Sequence, residues 1–143
     1  MIEARLFSEI FEEFEQAETR ADKIAVLRKY WHPRLQDFLE YAFNPNIQFD
    51  VEPPKTWRPA NEPPGLNVTY LDLEVSKLYR FIKGHPHRSA ELSTDANKKT
   101  KLLKVVLESL HPSESELLLK LIKKNLGVKG LTIKLIQESI SGR

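Results

Sequence analysis

Five lysines crowd one short glycine turn near the end of the chain. Residues 116–140 read ELLLKLIKKNLGVKGLTIKLIQESI, and in them Lys120, Lys123, Lys124, Lys129 and Lys134 surround Gly127, Val128, Lys129 and Gly130. Glycines allow one backbone to approach another closely. The first N–H groups of a helix that follows such a turn lack intrahelical partners and carry partial positive charge, which suits an anion. Main-chain amides ringed by ammonium groups match the chemistry of a nucleic-acid phosphate, contacted through its backbone and not through base edges. A plain helical hairpin with a glycine stop and a solvated lysine face would carry the same residues, and the pattern alone does not separate the two.

Little other chemistry is visible. There is no cysteine, so no disulfide frame, thiol nucleophile or thiolate zinc site is available. Phosphate-cradling P-loops, nucleophile elbows, H-E-x-x-H and calcium loops are all absent from the sequence. His85-Pro86-His87 has a metal-like spacing, but a proline-bearing turn between helices places histidines at the surface and no other ligand cluster lies nearby. His32 and His111 stand alone. The carboxylate pairs Glu12/Glu13 and Glu114/Glu116 are explained by helix faces and by compensation of the dipole at a helix N-terminus. The expectation is a non-enzyme with no metal and no cofactor, because nothing assembles a nucleophile, a base and an orienting group.

The elements that would position the turn are helical. Residues 2–16 carry Leu6, Ile10, Phe11 and Phe14 at helical spacing, with glutamates on the other faces. Thr19 and Asp22 open a second helix with Ile24, Leu27 and Tyr30 inward, and Pro33 suits the first turn of a third. Residues 44–68 hold six of the nine prolines, which blocks helix. So long a loop is unusual in a small domain. Its Ile47, Phe49, Val51, Trp57 and Leu66 suggest a connector packed across the helices, with an extended binding arm as the alternative.

Thr69 is expected to cap a helix to about Lys83, and Thr94 or Asp95 one to about Leu110 with Lys98, Lys101 and Lys104 outward. Pro112, with Ser113 and Glu116 as a capping box, opens a helix that runs into Leu126-Gly127. A last helix covers about residues 131–139. The reading is one all-α domain over residues 1–143, with about seven helices, no strand and a long Pro-rich loop at 44–68.

Composition fits this. The 143 residues are 41 % hydrophobic and 29 % charged, as in an ordinary globular domain. No apolar run approaches the roughly 20 residues of a membrane span, and the acidic, amphipathic N-terminus is unlike a signal peptide. A cytoplasmic location is therefore expected. The net charge of +2 is unevenly spread: residues 1–82 carry 10 basic and 14 acidic side chains, residues 83–143 carry 12 and 6. A basic half is the electrostatic footprint of a phosphate-facing surface, or simply of lysine-rich helix faces.

The pattern L-L-x-x-I-x-x-x-L-G-x-x-G-L-T at residues 118–132 resembles the end of the N-terminal DNA-binding domain of ATP-dependent DNA ligases, those of T-even phages above all. In that family a long helix closes in a reverse turn before a short helix. Residues 5–45 are similar to the family's opening, though more loosely. Residues 41–66 and 111–135 also resemble a family of short, uncharacterised tailed-phage proteins.

The resemblance implies an all-helical domain that grips double-stranded DNA across the minor groove with little sequence preference. Gly127, Val128, Lys129, Gly130 and Thr132 inherit the contact role from it. Lys120, Lys123, Lys124 and Lys134 join them for their position beside the turn. No K-x-D-G adenylylation motif occurs, so the resemblance does not extend to ligation. The acidic, Pro-rich region with Asp50, Glu52 and Glu62 also departs from a DNA-facing loop.

The expected function is a non-catalytic phage accessory protein that binds duplex DNA in replication, repair or recombination, in the host cytoplasm. The alternative is an adaptor on the same fold that docks on a phage or host protein through the acidic half and the Trp57 loop.

Overall fold

Most helices begin where local capping chemistry places them. In the computed structural model, which describes residues 6–63 and 66–141, Thr19 Oγ1 accepts the Asp22 N–H at 3.1 Å and opens α2 (Arg20–Tyr30). Pro33 is the first residue of α3 (Pro33–Phe43). Asp95 accepts from Lys98 at the start of α6 (Ala96–Ser109), and Thr132 from Leu135 at the start of α8 (Ile133–Ile140). Each such cap satisfies an N–H that the helix itself leaves unpaired. Before α2 stands α1 (Phe7–Gln16); the expected residues 2–5 of that helix lie outside the described residues.

The fold is all-α. Eight α-helices and one 3-10 helix occur among the described residues, with a lone antiparallel bridge between Phe49 and Ile82 in place of any strand. The apolar stripe of α1 (Phe7, Ile10, Phe11, Phe14) meets Leu27 of α2, Leu35 and Phe38 of α3, and the leucines of α6 and α7 (Pro112–Ile122) in one core. The rings of Phe7 and Phe38 tilt together with centroids 5.1 Å apart. Burial of each such side chain contributes about 1.5–3 kcal/mol. No helix among the described residues is long and apolar enough to cross a membrane.

Two helix starts differ from expectation. Thr69 does not cap; its hydroxyl donates to Glu74 Oε2, and α4 (Leu71–Glu74) begins after Tyr70 before tightening into the 3-10 helix Val75–Phe81. That helix stops short of Lys83 because Asp50 donates to the Phe81 carbonyl and Lys83 to the Gln48 carbonyl, which needs extended chain at Ile82. In α7, Pro112 takes the first helical position, so the cap is His111, whose Nδ1 accepts the Ser113 N–H at 3.1 Å. Ser113 is thereby the second helical residue and makes no box with Glu116. An unforeseen short helix, α5 (Ala90–Thr94), is capped by Ser89.

At the third position of α7 sits Glu114, fully buried. One carboxylate oxygen accepts the N–H of Phe7 and the other that of Leu71, each at 3.0 Å. Phe7 and Leu71 are the first residues of α1 and α4. One carboxylate thus faces the positive ends of three helices, its own included.

The Pro-rich segment is a packed connector. Val51 is buried, and Ile47, Phe49 and Trp57 are half-buried, while Leu66 is 70 % exposed and does not pack as expected. The segment is tied to α6 by hydrogen bonds. Lys99 Nζ donates to the Asp50 carbonyl at 2.7 Å, Thr100 to the Glu52 carbonyl at 2.8 Å, and the Arg58 N–H to Glu108 at 2.8 Å. The carboxylate of Asp50 also pairs with Arg88 and Lys99, whose side chains are only 5 % and 8 % exposed. At the other end of the chain α8 lies on α2: Arg28 donates to the Ser139 and Glu138 carbonyls, and Arg20 pairs with Glu138 at 2.7 Å. The C-terminal carbonyls of α8 therefore meet a guanidinium, as their negative end favours.

Candidate nucleic-acid interface

Between α7 and α8 the backbone is left-handed at three residues. Lys124 has φ 61°, Gly127 φ 65° and Gly130 φ 86°. The helix ends before the Leu126-Gly127 stop that its sequence suggests. After Lys123, the Lys124 N–H bonds the Leu121 carbonyl and the Asn125 N–H bonds the Lys120 carbonyl. That pair of bonds is a Schellman stop with lysine in the left-handed place where glycine is usual. Leu126 and Leu131 are buried and pin the turn to the core, and the Leu131 N–H closes on the Val128 carbonyl at 3.2 Å. A Cβ on Gly130 would meet the Lys23 side chain at 3.2 Å, on top of the unfavourable φ.

The nine expected contact residues divide into two groups. Lys120, Lys123, Lys129 and Lys134 are exposed, and among the described residues none of their ammonium groups is paired. They stand at the end of α7, on the turn and in the first turn of α8, with Thr132 capping α8 between them. Gly127 and Gly130 are exposed as well, and Val128 is half-buried.

Lys124 has another task. Its Nζ donates to the Tyr41 carbonyl and, at 2.8 Å, to the Asn44 carbonyl. It therefore caps the C-terminus of α3, a favourable place for a cation. Burial lowers its ammonium below the usual lysine value, against the opposing charge of Glu40. Two of the three ammonium donors are thus spent inside the protein, so Lys124 differs in its surroundings from the other four lysines of the expected contact set.

Two residues that the sequence did not single out shape the turn. Glu15 Oε2 accepts the main-chain N–H of Lys129 at 2.8 Å. Lys23 donates to the Phe14 carbonyl at 3.0 Å and lies against Gly130. The cleft between α1 and α7 beside the turn is about 150 Å³ and is bordered by Glu12, Glu15, Glu116 and Lys120 together with Gly127 and Val128. Folding has therefore set the acidic first helix next to the basic turn. The signal for this was an acid in the last turn of α1, where the helix dipole disfavours one.

His85 and His87 make local contacts within their turn. His85 Nδ1 accepts the His87 N–H at 3.1 Å, and its ring packs against Tyr79. No group of three or more metal-ligating side chains converges among the described residues.

A second surface is apolar in six of its nine lining residues, the others being Gln36, Glu40 and Gln137. Trp31, Leu39, Phe43, Ile133, Ile136 and Ile140 line a groove of about 180 Å³ between α3 and α8, where Ile133 and Ile140 are 49 % and 41 % exposed.

Comparison with known proteins gives one match. The model of a family described as "Family of unknown function (DUF6433)" covers residues 10–128. It begins inside α1, continues through α7 and stops inside the turn. No curated protein and no solved structure matches the chain.

Proposed function

From the premise that the chain belongs to the family of unknown function DUF6433, we propose that it binds double-stranded DNA through the sugar–phosphate backbone, without catalysis. The observation that carries this reading is the set of four exposed, unpaired ammonium groups, Lys120, Lys123, Lys129 and Lys134, around one left-handed turn. Phosphate contacts fix a protein on a duplex without reading its sequence. The similarity of residues 118–132 to the reverse turn of ligase DNA-binding domains points the same way. It also suggests a setting in phage replication, repair or recombination inside the host cell.

The reading has a quantitative signature. Each neutralised phosphate releases counterions, so four lysines imply a slope of log K against log salt of about −3 to −4. Replacing Lys120, Lys123, Lys129 and Lys134 together by glutamate is expected to weaken duplex binding at low salt by at least about a hundredfold and to abolish the slope. All four side chains are exposed, so the variant should keep its helical spectrum, with a melting temperature somewhat lowered by the new carboxylates beside Glu12, Glu15 and Glu116. A titration of random-sequence duplex at two salt concentrations measures this. Unchanged affinity in the folded variant rejects the turn as the contact surface. Lys124 is left out of the set because its loss would uncap α3.

A second reading is an adaptor that docks on a phage or host protein. The apolar groove between α3 and α8 favours it. Capture from nuclease-treated host lysate, compared between wild type and Ile133→Lys with Ile140→Lys, distinguishes it from DNA binding.

A further inference from the structure

A carboxylate already occupies the turn. The Lys129 N–H points at Glu15 Oε2, 2.8 Å away. The pairing of an anionic oxygen with a main-chain amide is the chemistry of a phosphate contact. Glu15 sits in the last turn of α1, which has no basic residue of its own; the Lys23 ammonium reaches over from α2 to the Phe14 and Glu15 carbonyls. The negative end of a helix disfavours an acid there, and the amide of the turn compensates. Glu12 and Glu116 border the same cleft. A small anion approaching the turn therefore gains one contact while opposing three carboxylates. A duplex long enough to reach Lys120, Lys123, Lys129 and Lys134 as well would set four ammonium charges against those three carboxylates.

On the reading of this turn as a phosphate-contacting surface, we propose that Glu15 is an internal stand-in for a DNA phosphate. It holds the Lys129 amide in the free protein and is displaced when a duplex binds. The contact lowers affinity for every anion and leaves only a polyanion able to compete.

The test compares duplex binding by wild type, Glu15→Gln, Glu15→Ala and a control, Glu62→Gln, which removes the same charge from the exposed part of the Pro-rich loop. Glutamine can still accept the amide but carries no charge; alanine frees the amide. Removing one exposed charge interaction is expected to tighten binding about two- to fivefold at low salt for Glu15→Gln. Glu15→Ala should bind at least as tightly, and the gain should shrink as salt rises. Weaker binding by Glu15→Ala would mean that the carboxylate braces the turn and would overturn the proposal, as would an equal gain from Glu62→Gln. Unchanged affinity of both Glu15 variants, with wild type still binding, removes the stand-in and leaves the DNA reading in place. No binding by any of the four proteins removes both.

Discussion

Glu114→Ala should lower the free energy of unfolding by about 3–5 kcal/mol, because it strands two buried N–H groups at roughly 1–3 kcal/mol each. Those groups are the first amides of α1 and α4. Urea titration of the far-ultraviolet helix signal measures the loss. A change below about 1 kcal/mol would show that water or the helix ends themselves replace the carboxylate. Glu114→Gln should be intermediate, since its carboxamide offers one good acceptor and turns an N–H₂ toward the other amide.

The pH dependence of this site has a definite sign. Burial pushes the Glu114 carboxyl above the usual glutamate range; the Leu71 and Phe7 amides pull it back, and the charges of Asp72 and Glu9 add to the rise. A folded value above the unfolded one, about 4.3, gives a contribution that is whole below the unfolded value and lost as pH rises through the folded one. The stability gap between wild type and Glu114→Gln should therefore be widest at about pH 4 and narrower at about pH 7. A gap that widens toward neutral pH would reverse the assignment.

Asp50→Asn is the second large effect, and its pH dependence runs the other way. Burial would raise the Asp50 carboxyl, but the hydrogen bonds and charge of Arg88, followed by those of Lys99, outweigh it and hold the group below the usual carboxylate range. The substitution leaves two buried cations without their counter-charge, a loss of about 3–5 kcal/mol. A depressed folded value means that the stabilisation is present above the unfolded value, about 3.9, and disappears as pH falls through the folded one. Chemical denaturation of both proteins should show a deficit at neutral pH that closes on acidification. Because the Asp50 carboxylate ties the connector to Arg88, just before α5, and to Lys99 of α6, the connector should also become more sensitive to protease in the variant.

What the sequence revealed of this fold followed the range of the interactions. The caps of Thr19, Asp95 and Thr132 and the role of Pro33 were legible because donor and acceptor lie within one helical turn. The apolar stripes of α1, α3 and α6 were legible for the same reason. The sequence marks Glu114 as a residue that compensates a helix dipole, which it is, but two of the helices it serves start 107 and 43 residues away. No local pattern announces such a partner. Lys124 stands beside the glycine turn like its neighbours, and only the approach of the α3 C-terminus, 80 residues distant at Asn44, separates it from them. The polarity of charge along the chain was real as a count. It was blunted in space, because α1 brings Glu12 and Glu15 to the basic turn.

The Lys124 tether also has a bearing on the order of events in folding. A contact that joins α3 to the end of α7 across some 80 residues cannot form until the intervening chain has been gathered in, and closing so long a loop carries an entropic cost that grows with its length. A contact still unformed at the transition state acts only on the barrier to escape from the native state, and the Lys124 tether is expected to be of that kind. Lys124→Ala should thus leave the refolding rate close to that of wild type and speed unfolding, visible in a chevron plot as a shift of one limb only. The same lysine that ends α7 in an uncommon backbone conformation would then set how long the native turn persists once formed.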